Sequence, residues 1–285
     1  MIKNRFAALA VITAIYIFAV IGGNFAYDFF VTRFALSFQL ALFAADVFAT
    51  LIVFAFSVIF NNASVYDPYW SVQPPVILFL AMVKVNLRGG SVTLLGWLLF
   101  AAVVFWAVRL TANWAYNFKS FEYQDWRYVM LKEKSGKLYG FVNFFGIHLF
   151  PTIVVYLCVL PAVTVIHYGF ALKPLCLIFI ALGFAAPVFQ GIADYQMHRF
   201  RNSGQGGFIR TGLWKKSRHP NYACEILMWW SVGLASVAVM PDKWILLAGA
   251  LVNTLMFLFV SIPMADKRQS RKEGFEAYKK ATRMI

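Results

Sequence analysis

The sequence has few of the residues from which metal and nucleophile sites are usually built. Its 285 residues include only 3 cysteines and 4 histidines. The cysteines lie in or beside apolar runs, at spacings that fit neither a disulfide framework nor a metal site. The histidines form no HxxxH or HxxHH cluster, and no HExxH, GxSxG or GKS/T motif occurs. These absences argue against di-iron desaturases, zinc proteases, common serine hydrolases and P-loop nucleotide enzymes, and we expect no metal.

Charge is scarce and has one dominant sign. Charged residues make up 13% of the chain and hydrophobic residues 61%, and the mean hydropathy is +0.68. The 26 Lys and Arg outnumber the 12 Asp and Glu, which gives a net charge of +14. The basic residues lie between the apolar runs, where the headgroups of anionic lipids are the simplest partners. We therefore predict contact with membrane lipids and no binding of nucleic acid.

Long apolar runs account for most of the chain and predict an all-α, polytopic transmembrane helical bundle. We assign about eight spans, at residues 6–24, 34–60, 69–86, 92–112, 144–168, 172–193, 222–240 and 244–264. They leave room for a single membrane domain over residues 1–285, with N-terminal spans in 1–60 and a catalytic region in 61–285. The first run has a basic start, as a signal peptide has, but we expect it to stay in place as an uncleaved span.

The basic residues divide unevenly between the two sides of this eight-span arrangement. One side holds both termini and the loops at 113–143 and 194–221, and it receives 20 of the 26 Lys and Arg. The other side receives 5, and Arg109 falls within a span. By the positive-inside rule, the side with 20 basic residues is cytoplasmic. We thus predict a multi-pass protein of a bacterial inner membrane or the endoplasmic reticulum, with both termini in the cytoplasm.

A polar stretch at residues 211–225 interrupts the apolar sequence and carries the strongest functional signal. Three Lys and Arg precede Pro220, which favours the start of a helix because the first-turn amide that it lacks would be unpaired anyway. Asn221 and Glu225 are four residues apart and share one face of that helix. Cations beside free N–H groups at a helix start suit an anion. A basic loop that only sets topology is the simpler alternative, but it would need neither the Asn nor the Glu.

Acidic residues at or inside the spans are the other candidates, because an ionised group is expensive to place in lipid. Asp67 opens the third span, and it is either a catalytic carboxyl or an ordinary helix cap. Asp46 lies in the middle of the second span, where an ion pair with Arg109 is one reading. Asp194 closes the sixth span, and Arg201 follows seven residues later, two turns along the same face if the helix continues.

A resemblance to the C-terminal domain of the steroid 5α-reductase family rests on the residues Gly212-Leu213-Trp214, Ser217-Arg218-His219-Pro220-Asn221-Tyr222 and Glu225. It covers roughly residues 60–283 and fits best the microbial relatives of undefined substrate. Further agreeing segments are Asp67-Pro68-Tyr69-Trp70, Arg109-Leu110-Thr111, Asp125-Trp126-Arg127-Tyr128, Ala193-Asp194-Tyr195-Gln196 and Lys267-Arg268 before Tyr278. In that family a helical bundle holds NADPH in a pocket open to the cytosol and reduces an activated carbon–carbon double bond.

The resemblance implies roles for individual residues of this chain. Asp67 matches the acidic residue that polarises the substrate carbonyl, and Glu225 is the second catalytic candidate. Trp106 stands where the family has the tyrosine that assists in this polarisation. The residues that fall on cofactor-contacting positions, or in the tail segment that helps to hold the cofactor, are Asp194, Arg201, Arg218, His219, Asn221, Tyr222, Lys267, Arg268 and Arg271. The expected cofactor is NADPH, and the expected substrate is a hydrophobic enone or sterol-like lipid.

Two other functions stay open at this point. Isoprenylcysteine carboxyl methyltransferases share an RHPxY stretch that binds S-adenosylmethionine, but they lack the residues seen here as Asn221 and Glu225. They also carry a Glu-Glu pair where this chain has Ala265-Asp266. A non-catalytic lipid-binding protein or transporter is the third alternative. Binding of NADPH, of S-adenosylmethionine or of neither separates the three.

Overall fold

The computed structural model describes residues 2–285 as an all-α protein. Within these residues no strand occurs, and one isolated bridge joins Ser217 to Arg283. The α-helices are α1 (Arg5–Phe34), α2 (Phe38–Ile59), α3 (Tyr69–Leu87), α4 (Leu94–Asn117), α5 (Trp126–Ser135), α6 (Tyr139–Phe141), α7 (Phe150–Tyr168), α8 (Pro174–Asn202), α9 (Pro220–Val237), α10 (Ala248–Met256), α11 (Ile262–Gln269) and α12 (Phe275–Ala281). Two π-helical segments, Val142–Leu149 and Phe257–Ser261, lead into α7 and α11. The all-α prediction is confirmed.

Within residues 2–285, seven helical stretches are long and apolar enough to cross a membrane, which confirms a multi-pass helical membrane protein. They are Arg5–Phe34, Phe38–Ile59, Ala63–Leu87, Leu94–Asn117, Trp126–Tyr168, Pro174–Asn202 and Pro241–Gln269. The span expected at 222–240 is the helix α9, which has 18 residues but is not apolar enough to join these seven. Asn221 and Glu225 in its first two turns lower its mean hydropathy. The prediction of eight spans requires α9 to cross as well.

The first helix is longer than the predicted span, because it continues past residue 24 to Phe34. Gly22 and Gly23 lie inside α1 and do not break it. A Cβ on Gly23 would lie 3.2 Å from the carbonyl oxygen of Ala45 on α2, and one on Gly22 would lie 2.7 Å from Cδ1 of Ile52. The two glycines therefore allow α1 and α2 to approach each other closely. They mark a helix contact and not the end of a span.

The chain divides into two compact units, residues 1–171 and 172–285. In the first unit α1 packs on α2, and α3 packs on α4 and α7. Tyr16, Tyr66 and Tyr69 lie in one buried cluster of this unit, with ring centroids 5.4 Å apart between Tyr69 and each of the other two. The predicted division at residue 60 concerns function and stays a prediction.

The second unit is built on α9, which packs against both α8 and α10. The helix α10 continues through the π-helical segment into α11, and the short tail helix α12 follows. Gly274, with φ of 76°, precedes α12 and turns the chain in a left-handed conformation that favours glycine. The loop between α8 and α9 carries the first half of the polar stretch, and α9 itself carries the second half.

We expect α9 to cross the membrane, because only then do both termini lie on the side with the 20 basic residues. In a cysteine-free variant, single cysteines placed at Lys215 and Lys243, which flank α9, should react with a membrane-impermeant maleimide from opposite sides. Cysteines at Lys134 and Lys215 should react from the same side. If the cysteines at Lys215 and Lys243 were labelled from the same side, α9 would not cross the membrane. If those at Lys134 and Lys215 were labelled from opposite sides, the predicted topology would be contradicted.

Candidate functional site

The polar loop ahead of α9 is tied to the end of the chain. The backbone N–H of Arg218 donates to the carbonyl oxygen of Arg283 at 2.9 Å. The Arg218 guanidinium donates through Nη1 to the carbonyl oxygens of Lys279 and Thr282, at 3.1 and 2.7 Å. Residues 275–284 therefore hold the loop in place, and we call this segment the C-terminal strap.

One buried carboxylate, Asp266 on α11, joins the strap to the loop. It accepts from Arg218 Nη2 at 3.2 Å and from His219 Nε2 at 2.9 Å, and Lys279 Nζ lies 3.7 Å away. The side chains of Asp266, Arg218 and His219 are each no more than 9% exposed. Charge-assisted hydrogen bonds in such a dry place are strong, and removal of one partner leaves the others uncompensated. Arg218 and His219 thus fix the shape of the loop.

His219 also sets the start of α9. It occupies the N-cap position, and its ring stacks on that of Tyr222 with centroids 5.3 Å apart and 4° between the ring planes. Burial lowers the pKa of His219, against the opposing effect of the neighbouring Asp266. A neutral ring that donates its Nε2–H to Asp266 satisfies both the burial and the hydrogen bond.

The first two turns of α9 carry Asn221 and Glu225, one turn apart. Asn221 is half-buried, and its Oδ1 accepts from the backbone N–H of Tyr222 at 3.1 Å. Glu225 is 3% exposed. Its Oε2 accepts from Gln190 Nε2 on α8 at 2.9 Å, and its Oε1 accepts from Trp229 Nε1 at 3.1 Å. Two N–H donors from different helices therefore fix the orientation of this carboxylate.

Unsatisfied polar atoms mark the two helices that flank α9. On α8, Gln190 Oε1 has no hydrogen-bond partner within residues 2–285, although the side chain is 4% exposed. On α10, Asn253 is fully buried, and neither its amide nitrogen nor its amide oxygen has a partner among the described residues. A buried polar group without a partner costs about 1–3 kcal/mol, so native proteins rarely keep one without a use.

The loop is also anchored on α8, on both sides of Asp194. Trp214 Nε1 donates to the carbonyl oxygen of Ala193 at 3.0 Å. Two residues after Asp194, the side chain of Gln196 lies against Gly212, whose φ is 61°. A Cβ on Gly212 would lie 2.4 Å from Gln196 Oε1, and the positive φ of Gly212 favours glycine there. This anchoring keeps the loop against the end of α8.

Exposed cations converge near this loop around an open depression of about 550 Å³. The residues that line it are Gly207, Arg210, Lys272, Glu273 and Gly274. Partial burial lowers the pKa of Lys272, and the positive charges of Arg268 and Arg201 lower it further. Because the positive charges of these side chains repel one another, a bound anion such as a phosphate group would stabilise the cluster.

In the first unit, Asp67 precedes α3 but does not cap it. The N-cap residue of α3 is Pro68, and the described residues supply no side-chain cap bond there. Instead, Asp67 Oδ1 accepts from Tyr128 Oη at 2.6 Å. Asp67 is half-buried and Tyr128 is buried at the start of α5. The helix-cap alternative therefore fails, and Tyr128 is a tyrosine partner for the candidate acid. Trp106, where the family resemblance places a tyrosine, is fully buried in α4.

Comparison with known protein families gives one match that spans most of the chain. A family described as "Protein of unknown function (DUF1295)" matches residues 53–282. The chain belongs to the DUF1295 family. The matched region includes Asp67, the loop before α9 and nearly all of the C-terminal strap. No curated protein and no solved structure matches the chain.

The second unit of this DUF1295 protein holds every residue that we predict to contact a cofactor, and Arg201 and Arg268 contribute to the cation cluster. Sequence reasoning missed Gln190, Arg210, Asp266, Lys272 and the role of Tyr128. Two signals were available. Lys272 directly follows Arg271, and Gln190 lies four residues before Asp194, one turn along the same helix face.

Within residues 2–285, no group of three His, Cys, Asp or Glu is arranged to hold a metal ion.

Asp266→Ala should release the C-terminal strap, because it leaves Arg218 buried without its carboxylate. Breaking a buried ion pair from one side typically costs about 3–5 kcal/mol. We expect a lower melting temperature in detergent and rapid tryptic cleavage near Lys279. Glu276→Ala, which removes an exposed acid from the same tail, should change neither. A strap that stays protease-resistant in the Asp266 variant would contradict this role.

Stability should depend on pH through His219. Because burial lowers its pKa in the folded state, the unfolded chain takes up the proton first as the pH falls. The stabilisation is therefore present above a pH of about 6.5, the ordinary value for histidine, and is lost as the pH drops below it. His219→Gln should flatten the decline in melting temperature between about pH 7 and 5. An unchanged decline in this variant would assign the effect to other groups.

Proposed function

We propose that this DUF1295 protein is a membrane-embedded, NADPH-dependent reductase of a carbon–carbon double bond in a hydrophobic, enone-like lipid. The observation that carries the proposal is the combination, in one unit, of a cation cluster with mutually repelling charges, the buried carboxylate of Glu225, and unsatisfied amide atoms on the two helices that flank α9. The resemblance of residues 211–225 to the steroid 5α-reductase family supports the same assignment. The substrate, by this proposal, is a lipid drawn from the surrounding membrane.

The residues present fit the two chemically different ends of NADPH. Arg201, Arg210 and Lys272 offer positive charge to its phosphates. The carboxamide of its nicotinamide ring both donates and accepts hydrogen bonds, which is what the unsatisfied amides of Gln190 and Asn253 require. When bound, NADPH would supply the hydride. In this proposal Arg218 and His219 hold the loop, since Arg218 Nη1 and Nη2 and His219 Nε2 already bond to Asp266 and the C-terminal strap.

Asp67 and Tyr128 are the proposed acid pair. Tyr128 Oη holds a proton that it donates to Asp67 Oδ1 at 2.6 Å. Reduction of an enone places negative charge on the carbonyl oxygen in the transition state, and a hydrogen-bond donor beside that oxygen lowers the barrier. For the step itself Asp67 must carry a proton: its O–H then donates to Tyr128 Oη, and the single phenol proton of Tyr128 is free to be donated to the substrate oxygen as the negative charge on that oxygen grows.

The methyltransferase alternative shares the Arg218-His219-Pro220 run, and it predicts a different use of the acidic residue near position 265. Those enzymes carry two adjacent Glu residues there, whereas this chain has only Asp266, whose two oxygens already accept from Arg218 and His219. A carboxylate committed in this way has little capacity left for a ligand. This observation favours the reductase.

Lys272→Gln should weaken NADPH binding about 10- to 150-fold, because a charge-assisted contact to phosphate is typically worth about 1.5–3 kcal/mol. NADH binding should weaken much less, because in this proposal Lys272 contacts the extra phosphate that NADH lacks. The purified protein is titrated with each dinucleotide, and the quenching of tryptophan fluorescence gives the two dissociation constants. Lys280→Gln, a neutralisation on the exposed tail outside the depression, is the matched control. Equal losses for the two dinucleotides would show that Lys272 does not read the extra phosphate.

Asp67→Asn should leave the fold intact and lower turnover by about 100-fold or more, in the range typical of general acids. Tyr128→Phe should lower it by a similar factor, because the two groups act as one pair. Lipids that copurify with the protein, identified by mass spectrometry, provide the substrates, and NADPH oxidation provides the rate. Glu122→Gln, at a nearby exposed acid, should turn over normally. Wild-type rates in the Asp67 variant would refute its role, and the absence of any lipid-dependent NADPH oxidation would refute the proposed function.

A further inference from the structure

The first unit contains a buried polar network that the proposed reductase chemistry does not use. Its centre is Gln73 on α3, whose Nε2 donates to Asp46 Oδ2 on α2 and lies 3.5 Å from the carbonyl oxygen of Thr152 on α7. The Thr152 hydroxyl lies 3.0 Å from that of Thr50 and 2.9 Å from that of Tyr66. All five side chains are buried, so three transmembrane helices and the connection before α3 meet through hydrogen bonds.

Gln73 ends in an acceptor that the protein leaves unsatisfied. The carbonyl oxygen of Thr152 can only accept, so the amide nitrogen is the atom that faces it, and Asp46 Oδ2 lies on the same side of the amide. Its Oε1 is therefore the free end, and it has no partner among residues 2–285.

His148, one turn before Thr152, ends in a second unsatisfied acceptor. Its Nδ1 lies 2.9 Å from the carbonyl oxygen of Asn143, which can only accept, so Nδ1 carries the proton. The ring is fully buried, with Phe54 and Tyr66 as aromatic neighbours at 5.3 and 4.8 Å between centroids. A charged ring would be costly there, so Nε2 bears a lone pair. That atom also lacks a partner within the described chain.

Asn143 supplies the third unsatisfied acceptor, and it lies in the same π-helical segment of the backbone as His148. Its Nδ2 donates to Ser57 Oγ at 3.3 Å, which leaves Oδ1 without a partner in residues 2–285. Asn143 and His148 both belong to the π-helical segment Val142–Leu149. Such segments are rare and are frequently found at functional sites. The three unsatisfied atoms are all acceptors, so whatever completes them must donate.

We propose that Gln73 and His148, which Thr152 and Tyr66 join, bind the hydroxyl group of a lipid alcohol. An alcohol hydroxyl is a small neutral donor, and it can give its proton to Gln73 Oε1 or His148 Nε2 while accepting from Tyr66 or Thr152. The aromatic walls formed by Phe54 and Tyr66 suit the hydrocarbon next to such a hydroxyl. The inference does not rest on the reductase, because it invokes neither the cofactor nor the Asp67–Tyr128 pair.

The test compares a donor with its blocked analogue. Delipidated protein in detergent is titrated with hexadecanol and with hexadecyl methyl ether, which keeps the oxygen and the chain but cannot donate. Hexadecanol should raise the melting temperature of the wild-type protein, and the ether should not. His148→Phe and Gln73→Met should each weaken hexadecanol binding about tenfold. Because each variant also loses a hydrogen bond that its side chain makes in the wild type, the melting temperature of each folded variant is compared with and without hexadecanol.

Thr164→Val is the matched control, because the Thr164 hydroxyl on α7 already donates to the carbonyl oxygen of Leu160 at 2.8 Å. This variant should bind hexadecanol as the wild type does. If His148→Phe does not fold, Gln73→Met carries the test alone. The proposal would be overturned if the protein bound the alcohol and the ether equally, or if the folded variants bound hexadecanol as the wild type does. It would also be overturned if the wild-type protein bound no alcohol, and water would then be the donor that completes the site. NADPH titration of the same samples reports separately on the reductase.

Discussion

The candidate cofactor site of this protein depends on one buried carboxylate. Asp266 receives hydrogen bonds from Arg218 and His219, and it does so in a chain with only 12 acidic residues. Through Arg218 it fixes the C-terminal strap, and through His219 it fixes the first turn of α9. The position of Asn221 and Glu225 follows from that turn. An ion pair that would contribute little on a surface has a large effect here, because both partners are buried.

The sequence was sufficient to predict the helical membrane fold, because runs of apolar residues long enough to cross a bilayer leave few alternatives. It predicted one border wrongly, at residue 24, because α1 continues to Phe34 and its Gly22 and Gly23 pack against α2 without ending the helix. The sequence also could not decide whether α9 crosses the membrane. Its hydropathy is too low for a span, whereas the distribution of basic residues requires it to be one. A helix with a polar first half is a weak span on its own, although the topology needs it.

The candidate site was predictable in its location and not in its contacts. The density of polar residues at 211–225 marked the loop, but nothing in the sequence indicated that Arg218 bonds to carbonyl oxygens 61 and 64 residues later. Gln190, Asp266 and Tyr128 were missed for the same reason, since their roles arise from contacts between helices. The family match across residues 53–282 supports the extent of the resemblance and says nothing of the chemistry.

The reductase assignment rests on which cofactor the second unit accepts, and a calorimetric titration tests it most directly. Purified protein in detergent would be titrated with NADPH and, in a parallel sample, with S-adenosylmethionine. The cation cluster and the buried amides predict saturable binding of NADPH, weakening as salt rises because phosphate contacts are screened, and no heat from S-adenosylmethionine. Saturable binding of S-adenosylmethionine with none of NADPH would contradict the account.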